Sequence, residues 1–476
     1  MLDHFVYDTE TTDLNVHHAQ VVQYASIRAD ENFAVISEDE ILIKRLPYVV
    51  PAPAAMAVTG LTTADLDDQE RITEYMAAGQ IERIVRPRFG RKQINITYNG
   101  VKFDDEHLRG MLFRNLRNPW FSSGRDIRRL DLLPLVRLLH TINKDLIAIR
   151  KNEKDQLSWR LSDVCTANGI DISAHDAMED ARGTLALARM IKSKAPTIWD
   201  EAVNCGNPAN AESRLADQLA RGAPAWVFTY FGKPELIPCG VLATDGRKKW
   251  ILVDLRKPVE AVSAKDIAAT LFSAESPFRV VRSNAAQLLV SDEIAELLIS
   301  REEMSAMRKA AELVKANTQL RAEASRAVGL STFTQVENPT SEECIYDSFV
   351  KDSEKPRMNA FHNADTWLKR AQIVFEDERL KDFAARIVLE AVMDGRATDV
   401  PEDLAQRLLN RCREAYERPF APAESRSMSI LKALATNPSE AWREWSESAF
   451  EGLSTMLGRN AVPEVVKPIQ TQFAFM

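Results

Sequence analysis

A short apolar run, Phe5-Val6-Tyr7, ends in two carboxylates one residue apart, Asp8 and Glu10, set among Thr9, Thr11 and Thr12. No other stretch constrains the fold as much. In a β-strand, residues i and i+2 face the same way, so Asp8 and Glu10 project together from the end of a buried strand. Two carboxylates held side by side repel each other, and a hard divalent cation between them relieves that repulsion. Taken alone, Asp-x-Glu is common and is better read as a solvated strand end. The remaining ligands have to come from elsewhere in the chain.

At 476 residues the chain is too long for one ordinary core, and two or three domains are expected. It is 45% hydrophobic and 27% charged, with no low-complexity tract or internal repeat. No apolar run is long enough to span a bilayer, and Met1-Leu2-Asp3-His4 does not open a secretory signal. Five scattered cysteines without a Cys-x-x-Cys pair suit reduced thiols, so a cytoplasmic protein with no membrane partner is expected. The net charge of −8 argues against a non-specific nucleic-acid coat. A local basic groove can still steer a phosphate backbone on an acidic protein.

The first part of the chain reads as α/β. Strands are expected at Phe5–Tyr7, Val21–Arg28, Glu40–Ile43 and Ile94–Tyr98, and helices at Asp105–Leu116, Leu130–Leu139 and Ala177–Lys194. Asn204–Asn210, with its Gly, Pro and Asn, reads as the edge of a linker. Short strands then follow at Trp226–Phe231, Cys239–Ala243, Trp250–Leu255, Phe278–Arg282 and Gln287–Val290, with an Asp245-Gly246 hairpin signal. Helices are expected at Ser263–Leu271 and after the Ser300-x-x-Glu303 capping box. From about Ser341 the pattern is helical, at Ala364–Phe375, Leu380–Met393, Pro401–Ala415 and Ser439–Leu457.

Two further motifs carry acid. Tyr98-Asn99-Gly100-Val101-Lys102-Phe103-Asp104-Asp105-Glu106 places a carboxylate after a strand and a Gly turn, at a helix start where ordinary capping also favours one. His175-Asp176-Ala177-Met178-Glu179-Asp180 puts a histidine and an aspartate where both can face one cleft. A lone histidine there is usually a surface or capping residue. Asp105 and Asp176 are neighbours that could be mistaken for ligands.

In this order the three motifs resemble the DEDDh exonucleases over residues 1–195. The chain is most similar to the bacterial exodeoxyribonuclease I family. That similarity is carried by Asn99–Glu106, Arg129-Leu-Asp-Leu-Leu133, Trp159-Arg-Leu161, Thr166-Ala-Asn-Gly-Ile170 and Ala174–Asp180. It departs from the family at Thr9 and Thr12, where bulkier aromatics are found. The resemblance implies a ribonuclease H-like exonuclease domain with a mixed sheet at 1–197, a β-rich SH3-like domain with inserted helices at 198–340 and a helical C-terminal domain at 341–476. It implies that Asp8, Glu10, Asp104 and Asp180 hold two Mg²⁺ ions about 4 Å apart, with Mn²⁺ able to substitute. His175 is then the general base.

Between residues 83 and 160 runs a series of arginines interleaved with Phe113, Trp120, Phe121 and Trp159, a composition suited to phosphates and stacked bases. A solvated helix face accounts for many of them. By the family's pattern Arg160 holds the substrate, with Arg109, Arg137 and Glu10 as further substrate-binding residues. Trp226 and Trp250 read as core of the β domain. The expected activity is 3′→5′ hydrolysis of single-stranded DNA to 5′-mononucleotides, processive, in DNA repair and recombination. Single-stranded DNA-binding protein is an expected partner and the chain an expected monomer. A DEDDh exoribonuclease is the alternative, since the centre would be identical. A non-catalytic nucleic-acid scaffold has no need to keep repelling carboxylates together.

Overall fold

The computed structural model describes residues 2–46, 49, 51–172, 176–229, 234–258, 262–271, 273, 275–330 and 339–417. The expected helix at Ser439–Leu457 and the end of the strand at Phe231 lie outside the described residues.

The first sheet is mixed and five-stranded, built from β1 (Leu2–Thr11), β2 (Val21–Ala29), β3 (Val35–Leu42), β4 (Lys92–Thr97) and β5 (Ile127–Asp131) in the order β3-β2-β1-β4-β5. The β1–β2–β3 side is antiparallel and β1–β4–β5 is parallel. β1 is central and buried on both faces, and its period of two sorts its side chains between two cores. Phe5 and Tyr7 pack with Ile81, Leu108, Met111 and Leu112, from the helices Glu74–Ile84 and Asp104–Arg114. Val6 packs on the opposite face with Val136, Leu138, Ala181 and Leu185, from the helices Leu132–Ile142 and Ala177–Lys194. Each fully buried aliphatic or aromatic side chain here contributes roughly 1.5–3 kcal/mol.

Leu130 and Asp131 end β5 and precede the helix they were expected to join, because Asp131 caps Leu132–Ile142 by accepting from the Leu133 N–H at 3.0 Å. Asn204–Asn210 is likewise no linker. Helix Pro196–Cys205 passes directly into Pro208–Arg221, which Asn207 caps. Gly206 sits against the Arg129 backbone so closely that a Cβ would overlap it.

The second sheet is antiparallel throughout, with β6 (Ala225–Thr229), β7 (Glu235–Thr244), β8 (Lys249–Asp254), β9 (Phe278–Arg282) and β10 (Leu289–Val290) in the order β10-β6-β7-β8-β9. The β7–β8 turn forms because Asp245 accepts from the N–H groups of Arg247, Lys248 and Lys249 while Gly246 takes φ 69°. Trp226 and Trp250 are buried in its cores. The Ser300–Glu303 capping box opens Arg301–Ala316.

The helical region contributes Phe361, Phe375, Leu380 and Phe383 to a core that also takes Phe113 and Leu116 from the end of the Asp104–Arg114 helix. That helix is therefore held by the sheet on one side and by the helical region on the other. Among the described residues, no helix is long and apolar enough to cross a membrane.

Candidate active site

The alternation of β1 distributes its polar end as it does its core. Asp8 and Glu10 continue the Val6 face, against which the Ala177–Lys194 helix packs, and Asp180 lies in that helix's first turn. Asp8, Glu10 and Asp180 each offer a carboxylate oxygen, and these oxygens lie within 4.8 Å of one another. Thr9 continues the Tyr7 face, toward the Asp104–Arg114 helix. Its N–H and its Oγ1 both donate to Asp104 Oδ1, at 3.0 and 2.6 Å.

Asp104 itself is buried and starts its helix. Before it, Asn99 adopts φ 63° and Gly100 follows. A Cβ on Gly100 would overlap Asp104 Oδ2 and stand 2.6 Å from Thr97 Cβ, so only glycine fits beneath this carboxylate.

Burial and mutual repulsion work in the same direction at this cluster. Asp8 is pushed well above the usual carboxylate range by burial, then by the charges of Asp104, Asp180 and Glu10. Glu10 rises to about 7 through burial, then through Asp180 and Asp104. Asp104 rises to about 7 by burial, against the lowering effect of the Thr9 hydrogen bonds. A divalent cation would supply the missing positive charge, and the all-oxygen donor set suits a hard ion.

The two decoy carboxylates have other partners. Asp105 is fully buried and accepts from Tyr7 Oη, from Ser122 Oγ at 3.0 Å and from Arg129 at 3.0 Å. Asp176 caps the Ala177–Lys194 helix, accepting from the N–H groups of Met178 and Glu179 at 3.1 Å, and from Gln23 at 3.1 Å. His175 lies outside the described residues.

The arginines divide sharply. Arg88 and Arg91 pair with Asp3, Arg114 with Glu74, Arg117 with Glu82 and Arg129 with Asp105. Arg88, Arg91, Arg114 and Arg129 thus serve as countercharge for buried acids, while Arg83, Arg86, Arg125 and Arg160 are exposed. Arg109 is buried, bonded to Glu106 at 2.5 Å and Ser122 at 2.9 Å, so a strand reaching it competes with these partners. Arg137 lies 4.7 Å over the Trp159 ring, whose carbonyl accepts from Tyr98 Oη at 2.6 Å. Arg160 follows, exposed, at the start of helix Leu161–Ala167.

Sequence reasoning missed Thr9 as a clamp on Asp104 and Tyr98 as an anchor for Trp159. The signal for Thr9 was its departure from the family's aromatic. Nothing in the sequence pointed to Tyr98.

Residues 5–188 match the exonuclease family RNase_T. Exodeoxyribonuclease I of Escherichia coli K12 is 24% identical over 467 residues, spanning 89% of this chain and 92% of that protein. The crystal structure of E. coli exonuclease I with a dA16 oligonucleotide superposes with a TM-score of 0.77 at 21% identity, covering 96% of this chain and all of that one. An ExoI/SSB-Ct complex gives 0.77 at 20% identity, with the same coverage. The chain carries, at residues 5–188, an exonuclease domain of the RNase_T family, and it continues with the fold of exodeoxyribonuclease I.

Proposed function

We propose that this chain degrades single-stranded DNA from its 3′ end to 5′-mononucleotides, with two Mg²⁺ ions held by Asp8, Glu10, Asp104 and Asp180. The observation that carries the proposal is the half-buried triad of Asp8, Glu10 and Asp180, whose oxygens converge within 4.8 Å. Asp104 stands close enough to raise the pKa of both β1 carboxylates. Bound there, the ions would neutralise the clustered acid and lower the pKa of the attacking water, and Mn²⁺ would substitute.

The chain's own groups do the rest. Thr9 fixes one oxygen of Asp104, so that carboxylate presents only the other. His175 takes the water's proton, a role suited to an imidazole titrating near neutrality. Arg160 contacts the strand's phosphates from its exposed helix start, and Arg137 supports it by stacking on Trp159. Arg109 and Glu10 are further substrate contacts.

Relatives solved with dA16 and as an SSB-Ct complex support single-stranded DNA as substrate and single-stranded DNA-binding protein as partner. A monomer acting processively in cytoplasmic DNA repair and recombination fits this reading. The deciding experiment is digestion of matched single-stranded DNA, duplex DNA and RNA, labelled at either end. Mononucleotide release from the 3′ end of single-stranded DNA is expected. Preference for RNA, or attack from the 5′ end, overturns the proposal.

A further inference from the structure

Asp131 ends β5 beside Thr97, the last residue of β4, with which it is paired in parallel register. It is buried, and its Oδ1 accepts two backbone N–H bonds. One, from Leu133 at 3.0 Å, is an ordinary helix cap. The other, from Asn99 at 2.8 Å, crosses to the turn that leaves the neighbouring strand. Helix capping does not require that second bond.

The turn it holds is the one on which Asp104 rests. Asn99 is in the left-handed region at φ 63°, a conformation that costs a non-glycine residue free energy unless its surroundings fix it. Gly100 then lies directly beneath Asp104 Oδ2. Thr9 grips the other oxygen of the same carboxylate. Asp104 is therefore located by a clamp on one side and by a turn on the other.

We propose that Asp131 is a positioning residue for Asp104, acting through the Asn99-Gly100 turn without touching DNA or ions. The inference rests on the reading of Asp104 as an ion ligand. It is tested on the full chain by Mn²⁺ binding, followed as loss of the free-ion electron paramagnetic resonance signal, alongside kcat and KM on a single-stranded oligonucleotide.

Asp131→Ser keeps a hydroxyl able to cap Leu133 but is one atom too short to hold Asn99 as well. It is expected to weaken Mn²⁺ binding about 10–100-fold and lower kcat similarly, as loss of a residue that orients a ligand does, with KM unchanged. Asp131→Asn, which retains the acceptor oxygen, restores both. Gly100→Ala reaches the same carboxylate through the turn and is expected to reproduce the loss. It also decides the matter if Asp131→Ser does not fold. Near-wild-type Mn²⁺ binding and kcat in folded Asp131→Ser, or in Gly100→Ala, overturns the inference. Wild-type protein that binds no Mn²⁺ removes the ion site itself, and the inference with it.

Discussion

The two ends of β1 bury acid in opposite ways. At its start, Asp3 is fully enclosed and three arginines converge on it, Arg91 at 2.6 Å, Arg88 at 2.7 Å and Arg28 at 3.9 Å. At its end, neither Asp8 nor Glu10 has a Lys or Arg within 4.0 Å among the described residues. Burial raises a carboxylate's pKa in both places. At Asp3, hydrogen bonds from Arg88 and Arg91 outweigh burial and hold the group below its ordinary value. At Asp8 and Glu10, neighbouring acids add to burial and both groups rise. The chain supplies its own cations where a carboxylate serves the fold, and leaves them out at the end of β1, where the proposed ions would complete the site. Asp104 and Asp105 repeat the contrast across one peptide bond: the first faces the acidic cluster and the second faces Arg129.

Substitutions at the two ends should therefore fail differently. Asp8→Ala or Asp180→Ala is expected to bring Mg²⁺-dependent degradation of a 3′-ended single strand to background, with the far-ultraviolet circular dichroism unchanged. Full activity in either variant would remove the metal assignment. His175→Ala is expected to lower kcat by about 10²–10⁴-fold and flatten the pH–rate profile around neutrality. An unchanged profile excludes it as the base. Asp3→Ala strands three guanidinium groups and is expected to cost about 3 kcal/mol, the low end for a broken buried pair because Arg88 reaches solvent. Urea unfolding measures this loss, while the activity per folded molecule is retained.

How much of this was legible in the sequence depended on the range of the interaction. The shared face of Asp8 and Glu10 follows from a period of 2, whereas Asp180 joined them only through the resemblance of the three ordered motifs to a known family. Leu130 and Asp131 were misread because a leucine-rich run satisfies strand and helix periodicity alike, and only the cap at Asp131 separates them. The arginines were harder. Arg109 looks like a phosphate clamp in sequence, yet its guanidinium meets Ser122 and also Tyr346, which lies 237 positions away. Pairings of that kind leave no local pattern. The Thr9–Asp104 bond, 95 positions apart, is hidden for the same reason, although it governs the geometry of the site.

The contrast is finest in the ion-free protein, where removing one carboxylate has opposite signs at the two ends of β1. Glu10 and Asp104, raised to about 7 from ordinary values of 4.5 and 3.8, hold protons in the folded state that the unfolded chain has already released. The stability this confers is complete below about pH 4 and is lost as pH rises through about 7. In chelator, the melting temperature of the wild type is accordingly expected to fall between about pH 4 and pH 7. Asp8→Asn takes one charge from the cluster, so ionisation of its neighbours costs less and the variant melts a few degrees above wild type at the higher pH. Mg²⁺ reverses that order, because an ion that binds only the folded state stabilises the protein able to hold it. Asp3→Asn, by contrast, lowers the melting temperature at both pH values and in either condition. If Asp8→Asn melts below wild type in chelator at the higher pH, the protein is compensating the cluster's charge with groups of its own, and the two ends of β1 do not differ in kind.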